Sequence, residues 1–202
     1  ERTPATSSAD TPRRGWLRAL EATAPIAANP HRLLPAIIAE LAQARPEAPA
    51  LISSASERLT YGKLVERANA YTRWALDRGL IKGETVCLMM PNRPEYMAIW
   101  LGLTGAGVVV SLINTQLRGH ALAHCIDIVA PKHVIVAAEF CASLRSAIAQ
   151  VGSAPKIWTH GAGGNGAGQF ERLDRAIEQF SGAPLLQAER RAVTIAEPAL
   201  LI

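Results

Sequence analysis

The sequence predicts an α/β fold, a mostly parallel sheet flanked by helices on both faces. Three observations between residues 85 and 129 carry that prediction. Residues 86–90 and 108–113 are short apolar runs without polar alternation, the pattern of strands covered on both faces. Between them Tyr96, Ile99, Trp100 and Leu103 recur at helical spacing. Pro94 stands where a helix can open, because its missing N–H needs no partner in the first turn. After the second run, Leu117, Ala121, Leu122, Cys125, Ile128 and Val129 mark another helix. Strand, helix, strand, helix in so short a span is a parallel crossover unit, right-handed by default.

The flanking elements follow in order. Residues 1–15 read as a flexible arm rich in Pro, Thr, Ser, Ala and charge, and residues 16–202 as a single α/β domain. Trp16, Leu17 and Leu20 predict a short helix that anchors the arm and is broken by Pro25 and Pro30. Residues 33–44 predict an amphipathic helix with Leu34, Ile37, Ile38 and Leu41 on one side, ended by Pro46 and Pro49. Residues 50–53 and 58–61 read as the strands of a hairpin. Residues 61–77 predict a helix burying Leu64, Ala68, Tyr71 and Ala75, stopped by Gly79. Beyond the central unit come a strand at 133–137, a helix at 140–151, a strand at 156–159 and a Gly-rich loop at 161–168. A charged helix at 170–180 and a loop at 181–184 complete the run. Residues 199–202 read as a buried parallel strand, and Trp74 and Trp100 fall at core positions of their helices.

Composition narrows the class. A chain of 202 residues, 49% hydrophobic, can bury a real core in one domain. The net charge is only +4 and the arginines are scattered, so no nucleic-acid partner is indicated. Cys87, Cys125 and Cys141 are an odd set at unpatterned spacing, which fits reduced thiols filling core space in a cytoplasmic protein. No apolar run approaches the ~18 residues that span a bilayer, and the polar, Pro-rich start has no secretory leader.

Motifs that would carry chemistry are weighed against plainer readings. Gly161, Gly163 and Gly166 match G-x-G-x-x-G, the sole support for a dinucleotide-binding oxidoreductase. The loop follows a late strand, its next segment is charged, and no strand ending in an acid follows, so a surface connection is the reading adopted. His120 and His124 stand one helical turn apart with Cys125, Asp127 and His133 near in sequence. Ala121 occupies the place of the glutamate in H-E-x-x-H, and no metal site is assigned. No Ser lies in a G-x-S-x-G elbow.

A family resemblance rests on several segments taken together. Gly-Leu-Ile-Lys-Gly-Glu at 79–84, Met-Met-Pro-Asn-Arg-Pro-Glu-Tyr at 89–96 and Leu-Ile-Asn-Thr-Gln-Leu-Arg-Gly at 112–119, with Leu-Thr-Tyr-Gly-Lys-Leu at 59–64, resemble the adenylate-forming acyl-CoA synthetases of the AMP-binding superfamily. The nearest likeness is to the long-chain, fatty-acid-transport-protein-like branch. It runs from about residue 16 to residue 202 and covers much less than half of such an enzyme. The resemblance implies a parent ligase that uses ATP, Mg2+ and CoA. A carboxylate and ATP would give acyl-adenylate and pyrophosphate, and CoA would then take the acyl group as a thioester. It also implies that residues 197–202 correspond to the strand before the phosphate-binding loop, so that the chain stops short of that loop, of the ATP-Mg2+ glutamate and of the catalytic lysine. On that basis this chain carries no catalytic residue, binds no cofactor by itself and is catalytically silent. Its partners would be the remainder of the parent chain and, in the parent, a fatty acid substrate. A peripheral membrane location of the parent stays open, as does self-association through the C-terminal end.

One site residue follows from the resemblance. Residues 114–119 leave the carboxyl end of a strand, where open α/β sheets place ligands, and the resemblance implies that the nucleotide end of CoA approaches there. Arg118 is therefore a candidate CoA-phosphate contact, beside the plainer reading of a solvated residue at a helix start. Asn92 and Arg93 end another strand on the same side, with a weaker claim. A freestanding α/β binding or interaction module is the alternative of a different class.

Overall fold

The structure, a computed structural model, describes residues 11–53, 58–164 and 167–202. The chain passes through α1 (Pro12–Ala28), α2 (Leu34–Ala44), β1 (Pro49–Ile52), β2 (Arg58–Thr60), α3 (Tyr61–Asp77), β3 (Thr85–Met89) and α4 (Pro94–Gly105). It continues through β4 (Val109–Leu112), α5 (Gly119–Asp127), β5 (His133–Ala137), α6 (Cys141–Ile148), β6 (Lys156–His160), β7 (Glu171–Arg172), α7 (Leu173–Ala176) and β8 (Leu200–Leu201). Strands β1 and β2 form the expected antiparallel hairpin. The other six make one parallel sheet in the order β7-β6-β5-β3-β4-β8.

Strand alternation divides the core between the two faces of this sheet. Val86 and Leu88 of β3 join Val110, Ile135 and Trp158 against Trp74 of α3 and Ile99 and Leu103 of α4. Cys87 and Met89 join Val134 and Val136 against Leu122 and Ile126 of α5 and Leu144 of α6. With helices on both faces, the apolar runs read from the sequence are the expected β3, β4 and β5.

Local chemistry fixes the helix ends. Thr60 caps α3 by accepting a hydrogen bond from the Lys63 amide at 3.3 Å, and Gly79 leaves the helix with φ +71. Pro94 occupies the first turn of α4. Helices α3 and α4 meet so closely that a Cβ on Gly102 would lie 2.5 Å from the Ala68 carbonyl oxygen and 2.6 Å from Tyr71 Cβ. The Thr72 hydroxyl donates to the Gly102 carbonyl at 2.8 Å across the same contact.

The buried aromatic centre is Trp74 with Trp158, both without exposure, edge to face at 5.3 Å. The Trp158 indole N–H donates to His133 Nδ1 at 3.0 Å. Trp100, expected in the core, is only partly buried and packs against its margin.

Several expectations are corrected. Helix α1 begins at Pro12, so the expected loose arm is helical from there, while residues 1–10 lie outside the described ones. The helix runs through Pro25, and Trp16, Leu17 and Leu20 are exposed, so they anchor nothing within the domain. Helix α5 buries Leu122, Ala123 and Ile126. Ala121 faces out and Ile128 is 71% exposed, because the helix ends at Asp127 and the chain turns at Ala130 with φ +40. The charged helix expected at 170–180 is instead β7, the single turn of α7 and a 3-10 turn at Ile177–Gln179. Leu173 is drawn fully into the core. The strand expected at 199–202 is present and parallel but not buried: Leu201 is partly exposed and Ile202 fully so, because β8 is the edge of the sheet. Residues 54–57 of the hairpin turn lie outside the described ones.

After α7 the chain returns across α3 to reach that edge. The Arg73 guanidinium grips Glu189 through two bonds, at 2.7 and 2.9 Å, and also donates to the Ala183 carbonyl at 2.8 Å. Lys82 pairs with Glu197 at 2.5 Å, and the Val110 amide donates to the Ala199 carbonyl at 2.9 Å. The Lys82 ammonium first, and then the Thr194 hydroxyl and amide, hold the Glu197 carboxyl down at about 2.

Three substitutions test this packing. Gly102→Ala forces α3 and α4 apart and should lower stability by ~1–3 kcal/mol; an unchanged denaturant midpoint would show that the helices yield freely. Trp158→Ala should cost ~3–5 kcal/mol and Trp100→Ala clearly less, with both read from urea unfolding. The reverse order would contradict the placement of the core.

Candidate functional site at the carboxyl edge of the sheet

In a parallel sheet every strand of one direction delivers its following loop to the same edge. Here residues 90–93 follow β3, 113–118 follow β4, 138–140 follow β5 and the Gly-rich loop follows β6. The order of strands reverses at β3: the next strand, β4, lies on one side of it, and β5 returns to the other. Loops on either side of such a reversal leave for opposite faces and open a crevice between them. That crevice is bridged by an ion pair between Arg93, after β3, and Glu139, after β5.

Beside it, the entrance of α4 and the hairpin enclose a hollow of about 350 Å³ lined by Leu51, Ile52, Asn92, Arg93, Tyr96 and Met97 among others. A larger groove of about 780 Å³ lies between α2, α3, the end of α4 and residues 182–193. None of its lining residues belongs to a loop leaving the carboxyl end of a strand in the main sheet.

The loop after β4 is shaped by its own side chains. The Asn114 carboxamide oxygen accepts from the Gln116 amide at 2.9 Å, a turn that reverses the chain. Arg118 precedes α5 in an extended conformation and is exposed. Its Nη1 donates to the Thr115 and Leu117 carbonyls, each at 2.6 Å, so the guanidinium folds back over the loop. Gly119 follows with φ +50, and its amide donates to the Ser146 hydroxyl at 3.2 Å, tying α5 to α6. Asn92 is exposed on the same edge.

A second constellation was not read from the sequence. Glu95, in the first turn of α4, accepts from the Tyr71 hydroxyl at 2.6 Å and pairs with Arg67. His160, the last residue of β6, brings Nε2 to 4.0 Å from Glu95, while its Nδ1 is buried without a hydrogen-bond partner among the described residues. Asp174 accepts from the Gly161 amide at 3.3 Å and from Arg172. Burial pushes the Asp174 carboxyl up, but the Arg172 guanidinium and the Gly161 amide outweigh it and hold it below its ordinary range. Burial, and then Glu95, push the Tyr71 phenol well above its ordinary range. The one sequence signal for this group was Glu95 directly after Pro94, since an acid in a first turn faces the positive end of the helix.

Other candidates fall away. Gly161, Gly163 and Gly164 take left-handed φ values, and a Cβ on Gly164 would lie 2.0 Å from the Ala138 carbonyl oxygen. Asn165 and Gly166 lie outside the described residues. A 3-10 turn and the two-residue strand β7 come next, with no long helix to receive a pyrophosphate at its N-terminus. Among the described residues no three His, Cys, Asp or Glu side chains converge as metal ligands, and the sequence-adjacent His120 and His124 are both exposed. Cys87 and Cys141 are buried and Cys125 partly so, all three without disulfides. Burial raises the Cys87 thiol to about 12, which removes it as a nucleophile.

A parallel sheet, covered on both faces and with its loops gathered at the carboxyl edge, defines an open α/β fold. Residues 38–188 match the model of the family described as AMP-binding enzyme. The chain belongs to that family, the adenylate-forming ligases. It is 35% identical to long-chain fatty acid transport protein 1 of Rattus norvegicus over 59% of its length, and 31% identical to the Bos taurus protein of that name over 76%. It spans only 19% and 24% of those two relatives. The crystal structure of the anthranilate CoA ligase AuaEII in complex with anthranoyl-AMP superposes with a TM-score of 0.69. That match covers 79% of this chain and 29% of the ligase at 18% identity, a likeness of fold.

Two histidines, His133 at the amino end of β5 and His160 at the carboxyl end of β6, give the fold a pH dependence. Burial, then Lys156 and Arg78, lower the pKa of His133, whose Nδ1 must stay unprotonated to accept from Trp158. Burial lowers His160 too, against the upward pull of Glu95 and Asp174. A histidine whose folded pKa lies below its unfolded value gives full stability above about pH 6.5. That stability declines as pH falls through this value toward the folded one, because the unfolded chain takes up the protons first. Urea midpoints should therefore drop between about pH 7.5 and about pH 5.5. His133→Gln, which keeps an acceptor for Trp158, should flatten that drop, and equal slopes in the two proteins would refute the assignment.

Proposed function

We propose that this chain is the sheet-bearing part of a long-chain fatty acid–CoA ligase. In the whole protein a fatty carboxylate oxygen attacks the α-phosphorus of ATP and pyrophosphate leaves. The CoA thiolate then attacks the acyl carbon, and AMP leaves as the thioester forms. The observation that carries the reading is the 31% identity over 76% of the chain to a long-chain fatty acid transport protein.

The part assigned to this chain is scaffolding and approach. The buried sheet holds the loop after β4 at the carboxyl edge, and Arg118 is proposed as a contact to a CoA phosphate from that loop. Nη1 is engaged with Thr115 and Leu117, which presets the guanidinium; its remaining N–H groups supply charge-assisted donors. No residue of this chain is assigned to Mg2+, and no step is routed through the metal here. The partners in this reading are ATP, CoA, the fatty acid and the remainder of a longer chain. Self-association through the open edge of β8 belongs to the same proposal, as does a cytoplasmic site of action.

Pyrophosphate release tests it. A protein of the relatives' full length should turn over long-chain fatty acids faster than anthranilate or benzoate, and the 202-residue chain alone should release none. Preference for the aromatic acids would overturn the substrate class. Turnover by the short chain that persists through purification would overturn its scaffolding role.

A further inference from the structure

The groove of about 780 Å³ between α2, α3, the end of α4 and residues 182–193 still has no role. Its size falls among small-molecule sites, about 300–1,000 Å³. Helix α2 makes it apolar. Nine of the eleven residues of α2 are Leu, Ile, Ala or Pro, yet none is fully buried. Pro35, Ile38, Ala39 and Ala42 recur at helical spacing and form one wall. Val65, Ala68 and Thr72 of α3 form the floor, which reaches down to Leu101 at 2% exposure. The hydroxyls on that floor are already satisfied. Thr72 donates to the Gly102 carbonyl at 2.8 Å and Thr104 to the Trp100 carbonyl at 2.9 Å.

The opposite wall is held in place at both ends. At one end a Cβ on Gly182 would lie 2.9 Å from the Glu66 carbonyl oxygen, and Asn69 Nδ2 donates to the Gly182 and Ala183 carbonyls, each at 3.1 Å. At the other end His31 Nδ1 donates to the Val193 carbonyl at 3.1 Å, and the Ile195 amide to the Pro30 carbonyl at 2.9 Å. Charge along the groove is lopsided. The lining acids have cations of their own, Glu40 with Arg32 at 2.8 Å and Glu66 with Lys63 at 2.7 Å. The lining arginines have no acid. Arg190 Nε donates to the Leu185 carbonyl at 3.1 Å, and half-buried Arg191 has neither hydrogen bond nor ion pair among the described residues.

We infer that this groove binds a single-chain amphiphile with an anionic head. The chain lies along the Pro35-to-Ala42 side of α2, about two helical turns, and the head, a carboxylate or a phosphate, meets Arg191. No Phe, Tyr or Trp lines the groove, so a purine would find no ring to stack on. The satisfied floor gives a polar body nothing to bond. An aliphatic body needs neither, and an arginine without a partner supplies charge-assisted donors to an anion. None of the lining residues comes from the loop that carries Arg118, and the site stands whether or not the ligase reading does.

Calorimetric titration of the 202-residue chain tests it, with dodecanoate, dodecyl phosphate and dodecyltrimethylammonium each kept below its micelle concentration. At least one of the two anions should bind saturably, one to one, and roughly tenfold or more tighter than the cation. The tighter anion identifies the head. Arg191→Gln should weaken that anion about tenfold, leave the cation unchanged, and be largely rescued by Arg191→Lys. Ala39→Phe fills the groove from a half-exposed position, so it should abolish anion binding while the urea midpoint is kept. Arg191→Gln serves as the test where Ala39→Phe lowers that midpoint. A protein of the relatives' full length should bind the same anion as tightly. No saturable binding of either anion, equal affinity for the cation, or binding that survives Ala39→Phe in a folded chain overturns the inference. So does binding confined to the short chain, which would assign the groove to the rest of a longer protein.

Discussion

Everything in this molecule depends on satisfying a parallel ladder in the dark. Strand β3 gives both edges of its backbone to neighbours, β4 on one side and β5 on the other. It gives both faces of its side chains to helices. No water reaches its peptide groups, so every N–H and C=O there must be paired within the sheet. Burial on both faces keeps polar side chains within the strands few, Ser111, His133 and Thr159 among them. Many polar side chains stand instead in the loops at the strand ends.

The same constraint decided what could be read from the sequence. Strands under two layers of helix leave uninterrupted apolar runs, so β3, β4 and β5 were legible, as was α3, with its cap and its terminating glycine. The segment after the Gly-rich loop was not. Its charged residues suggested a solvated helix, yet Arg172 and Asp174 satisfy each other locally while Leu173 between them is pulled under the sheet. Tertiary burial of one leucine outweighed the propensity of its neighbours. Helix α5 was found but its buried side was misjudged, because Ile128 looked like a further turn and instead sits in the reversal that follows.

At the edge the outcome was uneven for a physical reason. That Arg93 and Arg118 lie at the carboxyl edge was legible because each stands in a loop that follows an apolar run, and position along a strand fixes which edge its loop reaches. The group formed by Tyr71, Glu95 and His160 left a single trace, the acid after Pro94 in the first turn of α4. It joins one helix, the start of another and the end of a strand, and nothing in local spacing announces that those three points converge. Tyr71 in particular was read as plain core, which is true of its ring and silent about its hydroxyl. The Trp158–His133 bond is of the same kind, two residues on adjacent strands that become partners only through register.

The return of the chain from α7 to the far edge of the sheet has a kinetic consequence. Strands β3 to β6 assemble from contacts between near neighbours in sequence. The Arg73–Glu189 clamp instead closes across 116 positions, and β8 docks on β4 only once that long excursion is complete. Loop closure of that length must be paid before any bond rewards it. The central sheet is therefore the early event in folding, and the edge strand is the last piece to arrive. During synthesis the Val110 amide waits for its carbonyl until the last stretch of this sequence has emerged. Through that interval β4 is an open edge, and the nascent chain is most vulnerable to pairing with the wrong strand there.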